Sequence, residues 1–544
     1  MNPKRERPAS VSMAVTFVAD MTVDGILIGG GHNALVCAGR LARRGLEVLV
    51  VEQAPALGGG CSRAEDNRVP GLHHQVHSVF HRGITAMPWY RELQLERHGV
   101  RYLEPEANIA FHLSGGRALV MHTTGERTAE SIGRLNPDDA RAWESLGHQW
   151  QPVVEQVINP LLESPPEPAA TRRERLEQTA EGRTFLGLAG LRPVDAVLGH
   201  FRHPAVRALL CAIMVLREID ITVPGQGFQL AALVAGRRRA QLCLGGAREL
   251  AEGLGRALLS LGGLAWTAAR PRRILLEGGR AVGIELEDGR SVAARRCLIS
   301  GIDPGQTFLE LLGDACPPGL AESARAYRYS TVGPLFGVHL ALRRPPRYRA
   351  AEYDPAVQRA FMHIFGADGP EAYTGLYPAC AQGRIPAPIC LNGSVPTLFD
   401  ASLRGKGGEQ AAFVWQKVPY ALGGDARNWD RMAANHARTV VDRWNCYADG
   451  VQGDNVLNSF TNTPLDTERR IPNMVGGDLN VGHLSPDQAW DSRPFPLAGD
   501  YRTPIPGLYL CGAGTHPYGN VTGLCGHNAA TVVARDLALP ALPE

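Results

Sequence analysis

Residues 24–52, DGILIGGGHNALVCAGRLARRGLEVLVVE, constrain the fold more than any other stretch of the chain. Gly25-Ile26-Leu27-Ile28 is a short apolar run of the kind that forms a strand buried on both faces. Gly29-x-Gly31-x-x-Ala34 then predicts a tight turn into a helix. Gly29 permits the turn, and Gly31 lets the backbone approach a pyrophosphate. Ala34 stands where the third, helix-packing glycine can be replaced by alanine. The helix is expected from about Asn33 to Arg44, with Gly45 as its stop. His32 and Asn33, at its first turn, join the expected cofactor-binding residues. A second strand, Val48 to Val51, ends on Glu52, roughly 20 residues past the glycines, where a carboxylate holds a ribose 2′-hydroxyl. The plainer alternative is an ordinary βαβ unit. Strand, glycines, helix, strand and acid in register favour a dinucleotide-binding unit.

At 544 residues and 44% apolar composition the chain can fill two or three packed units. A net charge of +2 gives no global field for nucleic acid. The cluster Arg237-Arg238-Arg239 reads first as a solvated loop, with an anionic substrate group or membrane surface as the alternative. Eleven cysteines show no CxxC pair and no metal-ligand spacing, so reduced thiols in a cytoplasmic protein are expected. No apolar run reaches the roughly 18 residues of a membrane span. Residues 1–22, with Lys4, Arg5 and Arg7 before a short broken apolar stretch, are expected to be a disordered leader rather than a signal peptide.

The residues after Glu52 narrow the dinucleotide. Gln53 leads into Gly58-Gly59-Gly60-Cys61-Ser62, which resembles the GG motif of FAD enzymes with the glutathione-reductase or amine-oxidase fold. In such enzymes this loop passes close to the cofactor, where side chains would obstruct it. No second strand–GxGxxG–helix unit for NADPH is present downstream, so FAD is the one expected dinucleotide. Further stretches extend the resemblance: Gly245-Gly246-Ala247-Arg248-Glu249-Leu250, the strand Arg280 to Glu287 with its Asp288-Gly289 turn, Cys297 to Phe308, Thr463-Pro464-Leu465-Asp466, Ser485-Pro486-Asp487-Gln488, and Pro506 to Pro517. Together they resemble the phytoene-dehydrogenase-related flavoproteins, in the branch of the pyridine nucleotide-disulfide oxidoreductase domain 2 type.

The resemblance implies an α/β fold. A Rossmann-type FAD-binding domain of the glutathione-reductase/amine-oxidase type would be assembled from residues 23–110, 240–315 and 470–544. An inserted α+β substrate domain would take 111–239 and 316–469. The apolar run Ala205 to Leu216 reads as a buried helix, with a tunnel lining or a shallow membrane-dipping element as alternatives.

The same resemblance places Gly512, Ala513 and Gly514 against the flavin's ribityl and pyrophosphate part. Thr522 and Gly523 would introduce the last helix, whose N-terminus would favour charge at the flavin N1–O2 edge. The family's THPGGGVTGAPG run becomes Thr515-His516-Pro517-Tyr518-Gly519-Asn520-Val521-Thr522-Gly523-Leu524-Cys525-Gly526 here. Tyr518 and Asn520 therefore put side chains where glycines are usual, either to act on a substrate or as tolerated drift. The adenine edge is expected at Pro271, which lacks the N–H usual there. In Gly71 to His81 the histidines 73, 77 and 81 would share a face if helical. A flavin-loop or substrate contact is weighed above structural histidines, and no metal site is expected. His74, His77 and His516 are the candidate bases near physiological pH.

The expected activity is hydride transfer from a C–H bond of a largely apolar, isoprenoid-like or aromatic substrate to flavin N5, with reoxidation by oxygen or a quinone. The FAD is expected to be non-covalent, although Cys61 and Cys525 lie in cofactor motifs. Three alternatives stand beside it: a flavin-dependent isomerase or lyase without net redox change, a non-catalytic carrier on the same fold, and an amine oxidase. Peripheral membrane contact is the alternative to a purely cytoplasmic location.

Overall fold

The computed structural model describes residues 19–541. Residues 1–18 of the expected leader lie outside the described residues. Its last two residues begin the first strand, Met21–Ile28, where Met21 pairs with Val292. Two seven-stranded sheets organise the rest.

In the first sheet five strands run parallel, in the order Leu264–Trp266, Val48–Val51, Met21–Ile28, Ser291–Ser300 and Leu508–Leu510. An antiparallel pair, Pro271–Glu277 and Arg280–Leu286, extends it. The central parts of the parallel strands are apolar because both faces are covered. Leu27, Val48, Val50, Cys297 and Ile299 belong to one core, and Ile26, Ile28, Leu49, Val51 and Leu298 to the other. Each such side chain taken fully out of water contributes about 1.5–3 kcal/mol. Helices His32–Ala42, Ala247–Ser260 and Leu524–Asp536 cover the first face. The first and last helices pack so closely that a Cβ at Gly526 would overlap the Asn33 carbonyl.

The second sheet orders its strands Val456–Asn462, Leu335–Leu342, Gln410–Lys417, Leu391–Ser394, Met362–Phe365, Ala107–His112 and Ala118–His122. All neighbours are antiparallel except Met362–Phe365 and Ala107–His112. The strand Ala107–His112 spans the expected boundary at residue 110 and lies wholly in this sheet. Alternation along Gln410–Lys417 sends Ala412 and Val414 into a core beneath helix Asn428–Asn445, and Phe413 and Trp415 to the opposite face. The helices between residues 125 and 234 form a separate apolar cluster. Within it, helix Pro204–Leu216 is buried from Ala205 to Val215 apart from Arg207. Among the described residues no helix is long and apolar enough to cross a membrane.

Candidate active site

The carboxyl ends of the parallel strands open on a cavity of about 750 Å3. It lies where the strand order reverses, between Met21–Ile28 and Ser291–Ser300, the place where open α/β sheets bind ligands. Ile28, Gly29, Gly301 and Ile302 line it there. Helix His32–Ala42 begins at Gly31 without a side-chain cap. Its first N–H groups therefore stay available to an anion, aided by the helix dipole. A Cβ added to Gly31 would meet nothing within 4 Å, so it would stand in the cavity itself.

Glu52 is held in the wall by two backbone donors, Gly30 N at 2.6 Å and Ala54 N at 2.7 Å. The loop Gly58 to Ser62 lines the cavity opposite, together with Gln53, Asn33, Ala34 and His32. Gly58 holds φ +125°, and a Cβ there would come 2.7 Å from the Cys61 carbonyl oxygen, so only glycine fits the turn. An open glycine cradle, an uncapped helix start and a fixed carboxylate fit a dinucleotide. Pro271 also lines this end, beside Arg270. The nearby N–H groups of Ala268 and Ala269 are already donated to Ala54 and Glu52 carbonyls.

The terminal run divides. Ala513 reaches the cavity. Gly512 and Gly514 pack behind it, where Cβ atoms would approach the Gly301 carbonyl oxygen at 2.7 Å and Pro304 at 3.1 Å. Gly523 packs against the indole of Trp89, whose Nε1 donates to the Thr522 carbonyl at 2.8 Å. Asn520 adopts the left-handed conformation, φ +67°, which asparagine tolerates better than most residues. Its Nδ2 donates to Asn480 Oδ1 at 3.1 Å. This is why an asparagine can stand at a position where glycine is the expectation. Tyr518 and Thr522 line a neighbouring cavity of about 500 Å3, and Asn520 lines both.

The histidines separate as well. Residues 73–82 are largely extended, with short strands at His73–His74 and His81–Arg82, so His73, His77 and His81 share no helical face. His77 lines the main cavity, and neither ring nitrogen has a partner. His74 lines neither cavity: its Nε2 lies 2.9 Å from Asp66 Oδ2 and its ring packs edge-on against Phe460. His516 is also in the core, with Nε2 2.9 Å from the Leu161 carbonyl oxygen and its ring beside Trp490. Burial lowers all three imidazoles, His77 to about 3 and His516 to about 4. None is then protonated near neutral pH. Gln75 serves a helix, accepting from Ala247 N at 3.0 Å. Burial also pushes the Cys61 and Cys525 thiols up, to about 12 and about 11. Among the described residues no cluster of His, Cys, Asp or Glu forms a metal site.

Two residues outside every motif stand at the inner end of the cavity. Glu218 and Lys417 are both buried and line it, with Glu218 Oε1 3.4 Å from Lys417 Nζ. Glu218 Oε2 accepts from Asn480 N at 3.1 Å. Burial raises the Glu218 carboxyl to about 8, with Asp478 raising it further and Lys417 opposing. The sequence carries one hint, the Arg217-Glu218 pair that ends an apolar helix. Apolar side chains from several elements line the same cavity: Phe80, Leu216, Leu335, Met362 and Trp415, with Arg82 and Asn392 among them. Arg493, fully buried, donates to the carbonyls of Asn480, Gly482, His483, Ala513 and Thr515 and thereby fixes the loops bearing Asn480 and Ala513.

A family model described as an NAD(P)-binding Rossmann-like domain matches residues 27–93. A limonene dehydrogenase subunit from Castellaniella defragrans is 28% identical, over 95% of each chain. Pyridine nucleotide-disulfide oxidoreductase domain-containing protein 2 of Mus musculus is 29% identical, over 94% of each. Hydroxyneurosporene desaturase of Cereibacter sphaeroides is 26% identical, over 94% of this chain and 98% of its own. Among solved structures, cyclohexylamine oxidase from Brevibacterium oxydans superposes with a TM-score of 0.57 at 15% identity, over 95% of this chain and 99% of its own, a likeness of fold.

Proposed function

We propose that this chain, one of the phytoene-dehydrogenase-related FAD-dependent oxidoreductases, removes a hydride and a proton from a largely apolar organic substrate, isoprenoid-like or aromatic. One observation carries the reading: a single cavity joins the dinucleotide cradle to an apolar wall from the second sheet and the helical insert. The resemblance to a limonene dehydrogenase and a hydroxyneurosporene desaturase supports an apolar substrate.

Gly31, the first turn of its helix, Glu52 and the Gly58–Ser62 loop would hold the cofactor's pyrophosphate and ribose. Ala513 would close on it from the terminal run. FAD, when bound, supplies the hydride acceptor at N5 and passes electrons to oxygen or a quinone. Phe80, Leu216, Leu335, Met362 and Trp415 orient the substrate and keep water from it. Glu218 takes the proton. Its carboxyl titrates near 8, close enough to neutral pH to be both a usable base and a reloadable acid. Lys417 and the Asn480 N–H hold that carboxylate in place. His77 and Asn520 contact substrate or cofactor as neutral hydrogen-bonding groups. The raised thiols of Cys61 and Cys525 support non-covalent FAD, because the thiolate is the nucleophile.

The test is an absorption spectrum before and after acid precipitation, followed by an anaerobic screen for flavin bleaching. Yellow colour that moves to the supernatant, and bleaching by an apolar substrate, are expected. A protein that stays colourless after FAD is added sinks the proposal. Turnover that consumes no electron acceptor replaces desaturation with isomerisation or bond cleavage.

A further inference from the structure

The neighbouring cavity carries charge for which the proposed reaction has no use. It shares Phe80, Arg82, Asn520 and Val521 with the main cavity, so Arg82 stands in the wall between the two. Strand pairing with Ala240 fixes the Arg82 backbone. Its guanidinium makes no hydrogen bond or ion pair with any described residue. Arg217, from the end of helix Pro204–Leu216, lines the same space. It has one long bond, Nη1 to Gln229 Oε1 at 3.3 Å, and its Nε is buried without a partner.

The carboxylates lining this cavity are engaged elsewhere. Glu163 pairs with Arg238, and Glu155 lies 3.9 Å from Arg237. Glu104 accepts from Gln241 Nε2 at 3.0 Å. Among the described residues no carboxylate forms a salt bridge with Arg82 or Arg217, and the cations Arg217 and Arg239 lie near Arg82. Burial and cationic neighbours push the Arg82 guanidinium down to about 9, which still leaves it charged at neutral pH. Two neighbouring, partly buried guanidinium groups without a paired carboxylate present fork-shaped donors suited to an oxyanion.

We propose that this second cavity binds the oxyanion end, a carboxylate or phosphate, of a substrate whose apolar part continues past Arg82 into the main cavity. Arg82 and Arg217 grip the anion, and the Tyr518 hydroxyl offers a further donor. The proposal rests on the reading that the main cavity holds the reacting part of the substrate. It makes that substrate an amphiphilic acid rather than a hydrocarbon.

Calorimetric titration of the full-length protein with decanoate, decyl phosphate and decanol tests this without a variant. At least one anion is expected to bind about tenfold or more tighter than the alcohol. Preference for decanoate identifies a carboxylic acid, and preference for decyl phosphate a phosphate ester. Arg82→Gln and Arg217→Gln should each weaken the preferred anion about tenfold and leave decanol unchanged. Decanol binding as tightly as both anions, or anion affinity untouched in the double variant, overturns the proposal. Anion binding by a protein that takes up no FAD would defeat the oxidoreductase reading and leave this site standing. FAD uptake and substrate bleaching without anion preference would do the reverse.

Discussion

The two ends of the main cavity are built in different ways. At the nucleotide end the wall is largely backbone: glycines, an uncapped helix start, and a carboxylate tied to two N–H groups, most of it within residues 28–62. At the inner end the wall is side chain, brought together from distant stretches. Glu218 and Lys417 are 199 residues apart in sequence. On the proposed function, the first end would hold a group common to many enzymes, for which backbone geometry suffices. On the same proposal, the second would recognise one substrate, and side chains would carry that information.

Substitutions that separate the ends would test this contrast. The largest effect is expected from Glu218→Gln. It should lower kcat/KM about 10²–10⁴-fold on the substrate found by flavin bleaching, with FAD affinity unchanged. In the parent the rate should rise with pH toward an apparent value near 8, and the variant should lose that rise. A variant that keeps both rate and profile removes Glu218 from the chemistry. Lys417→Met leaves the buried Glu218 carboxyl without its cation and should cost about 3–5 kcal/mol in urea unfolding at pH 9, where the parent carboxyl is ionised, and less at pH 6, where it is protonated. Adding Glu218→Gln should return most of that loss. Gly31→Val should weaken FAD binding about 100-fold, near 2.7 kcal/mol, while the Tm of the cofactor-free protein stays put, because the new side chain meets empty space. A matching fall in Tm would mean that Gly31 serves the fold rather than the ligand.

A smaller effect links stability to pH. The Glu218 carboxyl titrates higher folded than unfolded, so its contribution is complete below about 4.5 and is lost as pH rises through about 8. Thermal melts at pH 6 and pH 9 should diverge less in Glu218→Gln than in the parent. Equal divergence would assign the slope to other groups. The smallest change is expected from Asn520→Gly, within about 1 kcal/mol in stability, since glycine accepts the left-handed backbone freely.

This contrast also explains what the sequence reveals. The unit from Gly25 to Glu52 is legible because each requirement is local: an apolar strand, a turn glycine, a helix and an acid at fixed spacing. Helix Pro204–Leu216 is legible as buried because its run is apolar apart from Arg207. The histidines are not legible in the same way. His74 and His77 are three residues apart, yet one binds Asp66 in the core while the other lines the cavity. Burial then lowers both, so an imidazole that looks like a base in the sequence stays neutral in the fold. Glu218, Lys417 and Arg493 belong to no motif, and their roles arise only from contacts made after the chain returns on itself.

The order in which the chain is synthesised has a consequence of its own. The parallel sheet is completed by Leu508–Leu510 against Ser291–Ser300, and helix Leu524–Asp536 then roofs the first helix. A nascent chain that has released the whole helical insert still exposes one face of its nucleotide unit. That unit cannot close until Leu508 to Asp536 have left the ribosome, whatever folds before it. A message truncated just before Leu508 would therefore yield not a smaller enzyme but a chain with an open sheet edge, a substrate for chaperones and proteases.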